Sequence, residues 1–218
     1  MISRENRLHR NIFQTLRDRI VHGEYPPGTG LSEKDLCREF SVSRTPLREA
    51  LAKLESMKLV TIIPRFGTHV SPIDIDEIRC AFEVKIKLES LAVGLAVERI
   101  DSEQLTALDD VIRQVVQLKE DDDEQNRHPR LIELEKRFHR IILQAAGNPI
   151  LTEFLDNLHY RCARLWSSSL SQVVPNEEIL KQMQNIYRAI AEKDAESAGR
   201  HMAQHIHYFI DKIKMRLL

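Results

Sequence analysis

Cysteine is scarce and scattered in this chain. Cys37, Cys80 and Cys162 are odd in number and nowhere approach CxxC spacing, which excludes a zinc knuckle and a disulfide framework and leaves three reduced, mostly buried thiols as the expectation. Long apolar runs are missing too: the longest, Leu91 to Val97, falls far short of the roughly 20 residues that cross a bilayer. Charged Arg4, Glu5 and Arg7 stand near residue 1 with no apolar segment behind them, so a secretory signal is not expected and a cytoplasmic location is the simplest expectation. HExxH, GxSxG, P-loop and Rossmann fingerprints are all absent, which removes the commonest signatures of hydrolases and nucleotide-dependent enzymes. Net charge is nearly absent as well, at −1.

That near-neutral total conceals an uneven distribution. Residues 1–72 hold 12 Lys+Arg against 8 Asp+Glu, a net +4, whereas residues 73–218 hold 20 against 25, a net −5. A polyanion would meet the first segment and be repelled by the second. With 218 residues, 42% of them hydrophobic, the chain has material for one large or two modest domains.

The stretch from Ser41 to Val60 carries the clearest pattern. Leu47, Ala50, Leu51 and Leu54 recur at i, i+3, i+4 and i+7, the stripe of a helix with one buried face. Arg44 and Arg48 lie on the opposite side. Ser43 is placed to cap the first turn with its hydroxyl, and Pro46 falls where its missing N–H costs least. The helix should therefore present Ser43, Arg44, Thr45 and Arg48 at an N-terminal end whose free N–H groups attract phosphate, while the arginine fork fits the acceptor pair of guanine.

The flanks agree with this. Leu8, Ile12, Leu16 and Ile20 repeat every four residues in an amphipathic helix from Arg4 to Val21, which Pro26, Pro27, Gly28 and Gly30 then end. A second, short helix begins at Ser32 with a carboxylate three residues after the hydroxyl, and Ser41–Val42–Ser43 makes the tight turn of a helix-turn-helix. Leu59 to Ile63 is β-branched, Pro64 to Gly67 is a turn and Thr68 to Val70 is extended again: a hairpin wing with Arg65 at its tip.

GEYPPGTGLSEKDL from Gly23, VSRTPLREALAKLE from Val42 and PRFGTHV from Pro64 closely resemble the GntR family of bacterial transcription regulators. The resemblance implies that Lys34, Arg38, Ser43, Arg44, Thr45, Pro46, Arg48, Arg65 and Gly67 stand where the family touches DNA.

Beyond Ser71–Pro72, strand signals vanish. Helical patterns run over 74–98, from Asp101 to Lys119, from Pro129 to Ala146, over 150–170, from Asn176 to Glu192 and from Asp194 to Leu217; the acidic run Glu120 to Glu124 reads as a solvated loop. The fold class is mostly α: a winged helix-turn-helix DNA-binding domain over 1–72 and an all-α bundle over 73–218. FEVKIKLE from Phe82, FHRIILQAAGN from Phe138, AIAEKD from Ala189 and MAQHI from Met202 resemble, more loosely, the FCD effector-binding and dimerisation domain of the FadR subfamily.

In many FCD domains a carboxylate and three histidines bind Zn or Ni, which grips a small carboxylate. Carried over by that resemblance, the acid is Glu135, where Asp is usual, and two histidines are His139 and His205; the remaining histidine position is Met183, a poor ligand for a hard ion. The arginine frequently found in the first bundle helix is Lys85. Two readings stand at this point: a three-ligand metal site, supplemented by His201 four residues before His205, or a metal-free cavity binding its effector with Lys85 and neutral polar groups. The function that the two resemblances imply is a ligand-responsive transcription regulator, not an enzyme, binding a palindromic operator as a homodimer with a small organic acid as effector. The rivals are a metal-dependent enzyme fused to a DNA-binding domain, and a DNA binder with no effector.

Overall fold

The structure, a computed structural model, describes residues 4–120, 124–169 and 176–217. Most of the expected acidic loop, residues 121–123, lies outside those described. The elements run α1 (Arg4–Val21), β1 (Gly30–Leu31), α2 (Glu33–Phe40), α3 (Arg44–Ser56), β2 (Val60–Ile63), β3 (Gly67–Val70), α4 (Ile75–Arg99), α5 (Ser102–Glu120), α6 (Glu124–Ala146), α7 (Pro149–Ser169), α8 (Asn176–Ala191) and α9 (Ala195–Leu217). Among the described residues no helix is long and apolar enough to cross a membrane.

Packing divides the chain into two units. The first is Met1–Arg79 with His159–Ser168 and the second is Cys80–Leu158 with Ser169–Leu218. The first unit thus extends past the expected boundary at residue 72: Tyr160 packs against its core beneath Arg17, and polar bonds add to this. Arg161 Nη1 donates to Glu77 Oε1 at 2.8 Å, and the buried Arg164 donates to the carbonyl of Ser71 and, at 3.5 Å, to that of Lys58.

In the first unit, α1 and α3 press their apolar stripes together: Ile12, Leu16, Leu47, Leu51, Leu54 and Leu59 are all but fully buried. Each such side chain contributes about 1.5–3 kcal/mol relative to exposure. Ser32 caps α2 by accepting from Asp35 N at 3.3 Å. Ser41 then takes a left-handed conformation (φ 53°), letting its N–H and that of Val42 close on the carbonyls of Arg38 and Cys37. This sharp stop puts α3 immediately after α2. Ser43 occupies the N-cap position of α3 with extended backbone but makes no side-chain cap bond, so the expected hydroxyl cap is corrected: the helix starts from its flanking turn and its buried stripe.

The sheet has the order β1-β3-β2, antiparallel throughout, with Val60 opposite Val70, Ile63 opposite Gly67 and Gly30 opposite His69. The sequence reading has the β2–β3 hairpin but not β1, whose two residues lie in the Gly- and Pro-rich run. The open edge at Ile62 is covered by Glu55, whose carboxylate accepts the Ile62 N–H at 2.9 Å.

The second unit is helical among its described residues. Its core includes Phe82, Leu108, Ile112, Phe138, Ile142, Ile179, Ile186, Ile190 and Met202. One boundary differs: α6 starts at Glu124, not at Pro129. A proline so near a helix start forfeits a single backbone bond there, which the turns on either side outweigh. Gly147 ends α6 with φ 59°, the left-handed stop read from Gly147–Asn148–Pro149.

Candidate functional site

Two groups of side chains carry chemistry, one in each unit. In the first unit, Lys34, Arg38, Ser43, Arg44, Thr45, Arg48, Arg65 and Gly67 are all exposed and Pro46 is half-buried. They sit on α2, on the first turns of α3 and on the β2–β3 turn. Arg65 adopts φ 68° and Gly67 φ 99°, a left-handed pair that turns the chain sharply and leaves the wing tip standing clear. Phe66 between them is 80% exposed.

The cations differ in their freedom. Among the described residues Lys34, Arg44 and Arg65 make no ion pair, whereas Arg38 is paired with Asp35 at 2.7 Å and Arg48 with Glu33 at 3.0 Å. The Glu33 carboxylate, by hydrogen bond and charge, raises the pKa of the already basic Arg48 guanidinium. Unpaired cations flanking an exposed helix start, with a basic hairpin tip in the same unit, suit a duplex groove and its phosphates.

In the second unit, α6 and α9 bring Glu135, His139 and His205 together, with one ligand atom of each lying within 4.8 Å of the others. His139 Nε2 is 3.7 Å from Glu135 Oε2, His205 Nε2 is 3.4 Å from Glu135 Oε1, and the two Nε2 atoms are 3.4 Å apart. The outer nitrogens are engaged separately. His139 Nδ1 meets Glu89 Oε2 at 3.2 Å and His205 Nδ1 meets Gln182 Oε1 at 3.0 Å. The Gln182 amide is itself oriented, because its Nε2 donates to Glu178 Oε1 at 3.1 Å. Both Nδ1 atoms therefore face acceptors and carry the proton in the neutral ring, which turns two Nε2 lone pairs toward each other and toward Glu135. Glu135 Oε1 is buried without a hydrogen bond among the described residues.

Lone pairs converging on a buried carboxylate are mutually repulsive unless a proton on one of the rings or a metal cation stands between them. The donor set, one carboxylate and two imidazoles with acceptors behind both rings, suits Zn or a similar divalent ion. Burial pushes the Glu135 carboxyl up, but His205, His139 and Lys85 more than offset it and hold it below the usual carboxylate range. Glu89 behaves likewise: burial raises it, and Lys85 with His139 overcomes this and keeps it ionised.

Lys85 is buried and its ammonium is bound to Glu89, one turn further along α4. Met183 is fully buried on α8 in the stripe Ile179, Met183, Ile186 and Ile190; its neighbour Gln182 supplies the polar contact from that helix. His201 faces Gln204 at 3.3 Å and is not among the converging groups, so the supplementary role considered for it is corrected. Glu89 and Gln182 were not assigned from the sequence. Glu89 has a signal in its i+4 spacing from Lys85, and Gln182 has one in its i+4 spacing from Glu178.

A winged helix-turn-helix with free cations at its reading helix and wing, followed by a helical unit with a buried polar cluster, defines a ligand-responsive DNA-binding regulator. Residues 8–70 match the family described as bacterial regulatory proteins, gntR family, and residues 80–208 match the FCD domain. The chain belongs to the GntR family, in the FadR-type group that joins this winged helix to an FCD domain. Similar proteins include the HTH-type transcriptional repressor RspR of Escherichia coli (strain K12), 29% identical over 210 residues that cover 95% of this chain and 89% of that protein. Another is the HTH-type transcriptional regulator YcbG of Bacillus subtilis (strain 168), 30% identical and covering 90% and 87%. The solved structure of E. coli McbR/YncC shares the fold, with a TM-score of 0.80 at 24% identity over the whole of both chains.

Proposed function

We propose that the chain is a repressor that binds a palindromic operator as a homodimer through residues 1–72, and that an effector entering the bundle over 73–218 shifts its affinity for that operator. Lys34, Arg38, Ser43, Arg44, Thr45, Pro46, Arg48, Arg65 and Gly67 form the DNA face. The observation that carries this reading is the exposed, unpaired Arg44 at the start of α3, in one packed unit with the unpaired Arg65 of the wing. Repression follows the name borne by RspR, and the regulator names of the related proteins favour a regulatory over a catalytic role.

The effector site is placed at Lys85, Glu135, His139, Met183 and His205. A divalent cation, Zn or Ni, would be held by Glu135, His139 and His205 and would supply a positive centre for a small organic acid. Lys85 is an unsuitable partner for that acid because Glu89 already neutralises it. Two buried carboxylates face one ammonium, so without a further positive charge in the cluster an anion is repelled.

The test is a gel-shift titration on duplexes enriched from a random library by the wild-type protein. Arg44→Ala should abolish discrimination against random competitor while leaving the melting temperature unchanged; retained discrimination would refute the DNA face. In parallel, elemental analysis and thermal melting with Zn or Ni should show a stoichiometric ion and a raised Tm that His139→Ala removes. No metal and no shift would end the metal reading and leave the metal-free cavity.

A further inference from the structure

Arg48 is the one arginine on the reading side of α3 that the protein itself already holds, and the manner of holding is specific. Arg48 Nε lies 3.1 Å from Glu33 Oε1 and 3.0 Å from Oε2, and Nη2 lies 3.0 Å from Oε2. The carboxylate therefore sits against the side edge of the guanidinium, accepting from Nε with both oxygens and lying within ion-pair distance of Nη2. A guanidinium has five N–H donors. The two on Nη1 and the outer one on Nη2 remain, and the pair they form at the end of the side chain is the fork that matches guanine O6 and N7.

The anchor is itself fixed. Glu33 is the first residue of α2, directly after the Ser32 that caps that helix, and Arg48 is on the second turn of α3. The bond thus spans the helix-turn-helix and ties the direction of Arg48 to two helix axes. As a device for stability it is weak, since the Arg48 side chain is 62% exposed and exposed pairs contribute little. As a plain charge it is counterproductive, because a carboxylate on a DNA-facing surface repels phosphate. What it does supply is order in a long, flexible side chain before binding, which removes an entropic cost that would otherwise fall on recognition.

We propose that Glu33 is a positioning residue for sequence reading: it grips Arg48 by the side edge so that the end fork is presented in a fixed direction to one guanine per half-site. This rests on the DNA-binding reading above. Glu33 does not touch the base, and its effect passes wholly through Arg48.

The experiment measures affinity for a duplex enriched by the wild-type protein and for a random duplex, with wild type, Glu33→Gln, Arg48→Ala and the double variant. Glu33→Gln should weaken the enriched duplex about tenfold per half-site, the scale of one bidentate contact. It should leave the random duplex as tight or tighter, one anion having been removed, and relax the preference at a single base-pair position. In the Arg48→Ala background the second change should no longer weaken the enriched duplex. Equal movement of both duplexes, in either direction, would overturn the proposal by reducing Glu33 to a charge or a folding determinant. So would a loss on the enriched duplex that persists without Arg48. A wild-type protein that enriches no sequence would instead bring down the DNA-binding reading, and this proposal with it.

Discussion

Lys85 and Glu89 set the most sensitive balance in the molecule. Both are buried, and the ion pair between them is completed by His139 Nδ1 on the second carboxylate oxygen. Taking one partner from such a pair strands a charge out of water, which costs about 3–5 kcal/mol, whereas replacing both with apolar groups is often neutral. Lys85→Met, studied with metal removed, should therefore lower unfolding free energy by about 3 kcal/mol in urea titration. The double change Lys85→Met, Glu89→Met should restore part of it, the rest being lost with the acceptor of His139 Nδ1. A single change that leaves the urea midpoint in place would mean that Glu89 is solvated. At this scale Glu135, His139 and His205 came from the FCD resemblance, to which the i, i+4 spacing of the first two added a shared helix face, and the structure brings the three together. The sequence was illegible where spacing has a commoner meaning. Lys85 and Glu89 are also i, i+4, a pattern that usually marks a wet surface, and only the packing of neighbouring helices makes it a buried pair. Gln182 was hidden by the attention drawn to Met183, yet Ile179, Met183, Ile186 and Ile190 form one apolar stripe, which points Met183 into the core and leaves its neighbour at the polar border.

The helices of the first unit show which local rules decide and which are overridden. α2 and α3 each begin after a serine, and the two serines do different things. Ser32 accepts the Asp35 N–H, while Ser43 makes no such bond. Replacing a working N-cap serine by alanine costs about 1 kcal/mol. Ser32→Ala should then lower the unfolding free energy from urea titration by an amount near that figure, and Ser43→Ala should leave it nearly unchanged while weakening DNA binding through the loss of a hydroxyl from the proposed DNA face. Equal losses from both would show that Ser43 caps in solution. α1 and α3 were readable because burial of one face enforces the helical period, and the β2–β3 hairpin because a β-branched run is followed by the Pro64–Gly67 turn. β1 was not, because two residues beside glycines carry no period at all and gain their pairing only from β3. The start of α6 was misread because Pro129 looks like an opening residue, although the helical backbone begins at Glu124.

At the scale of the whole protein the question is how a small reading surface discriminates among many sites. A good bidentate contact is worth about 1–3 kcal/mol, and useful operators are preferred over random DNA by about 4–10 kcal/mol. One copy reading bases with Arg44 and Arg48 reaches only about 2–6 kcal/mol, and two copies on a palindrome reach about 4–12 kcal/mol, which covers that range. The second unit has a surface suited to bring two copies together. Val84 and Leu91 on α4 and Ile150 and Phe154 on α7 are large, apolar and at least half exposed, and they border the buried cluster of Ala92, Ala146, Leu151 and Leu155 that joins these two helices. Exposed apolar groups on helices that share a buried cluster suit an interaction surface, and a two-fold contact between copies would cover both sets at once. Leu91→Glu combined with Phe154→Glu places four like charges in that seam. On the homodimer reading, sedimentation should then show one chain for the variant and two for the wild type, with near-normal affinity for random DNA and for a single half-site but a lost advantage for the full palindrome. If the double variant still sediments as a pair, the seam lies on another face; if it is monomeric and keeps the palindrome advantage, pairing occurs on the DNA itself and these side chains are not what sets the spacing of the two reading helices.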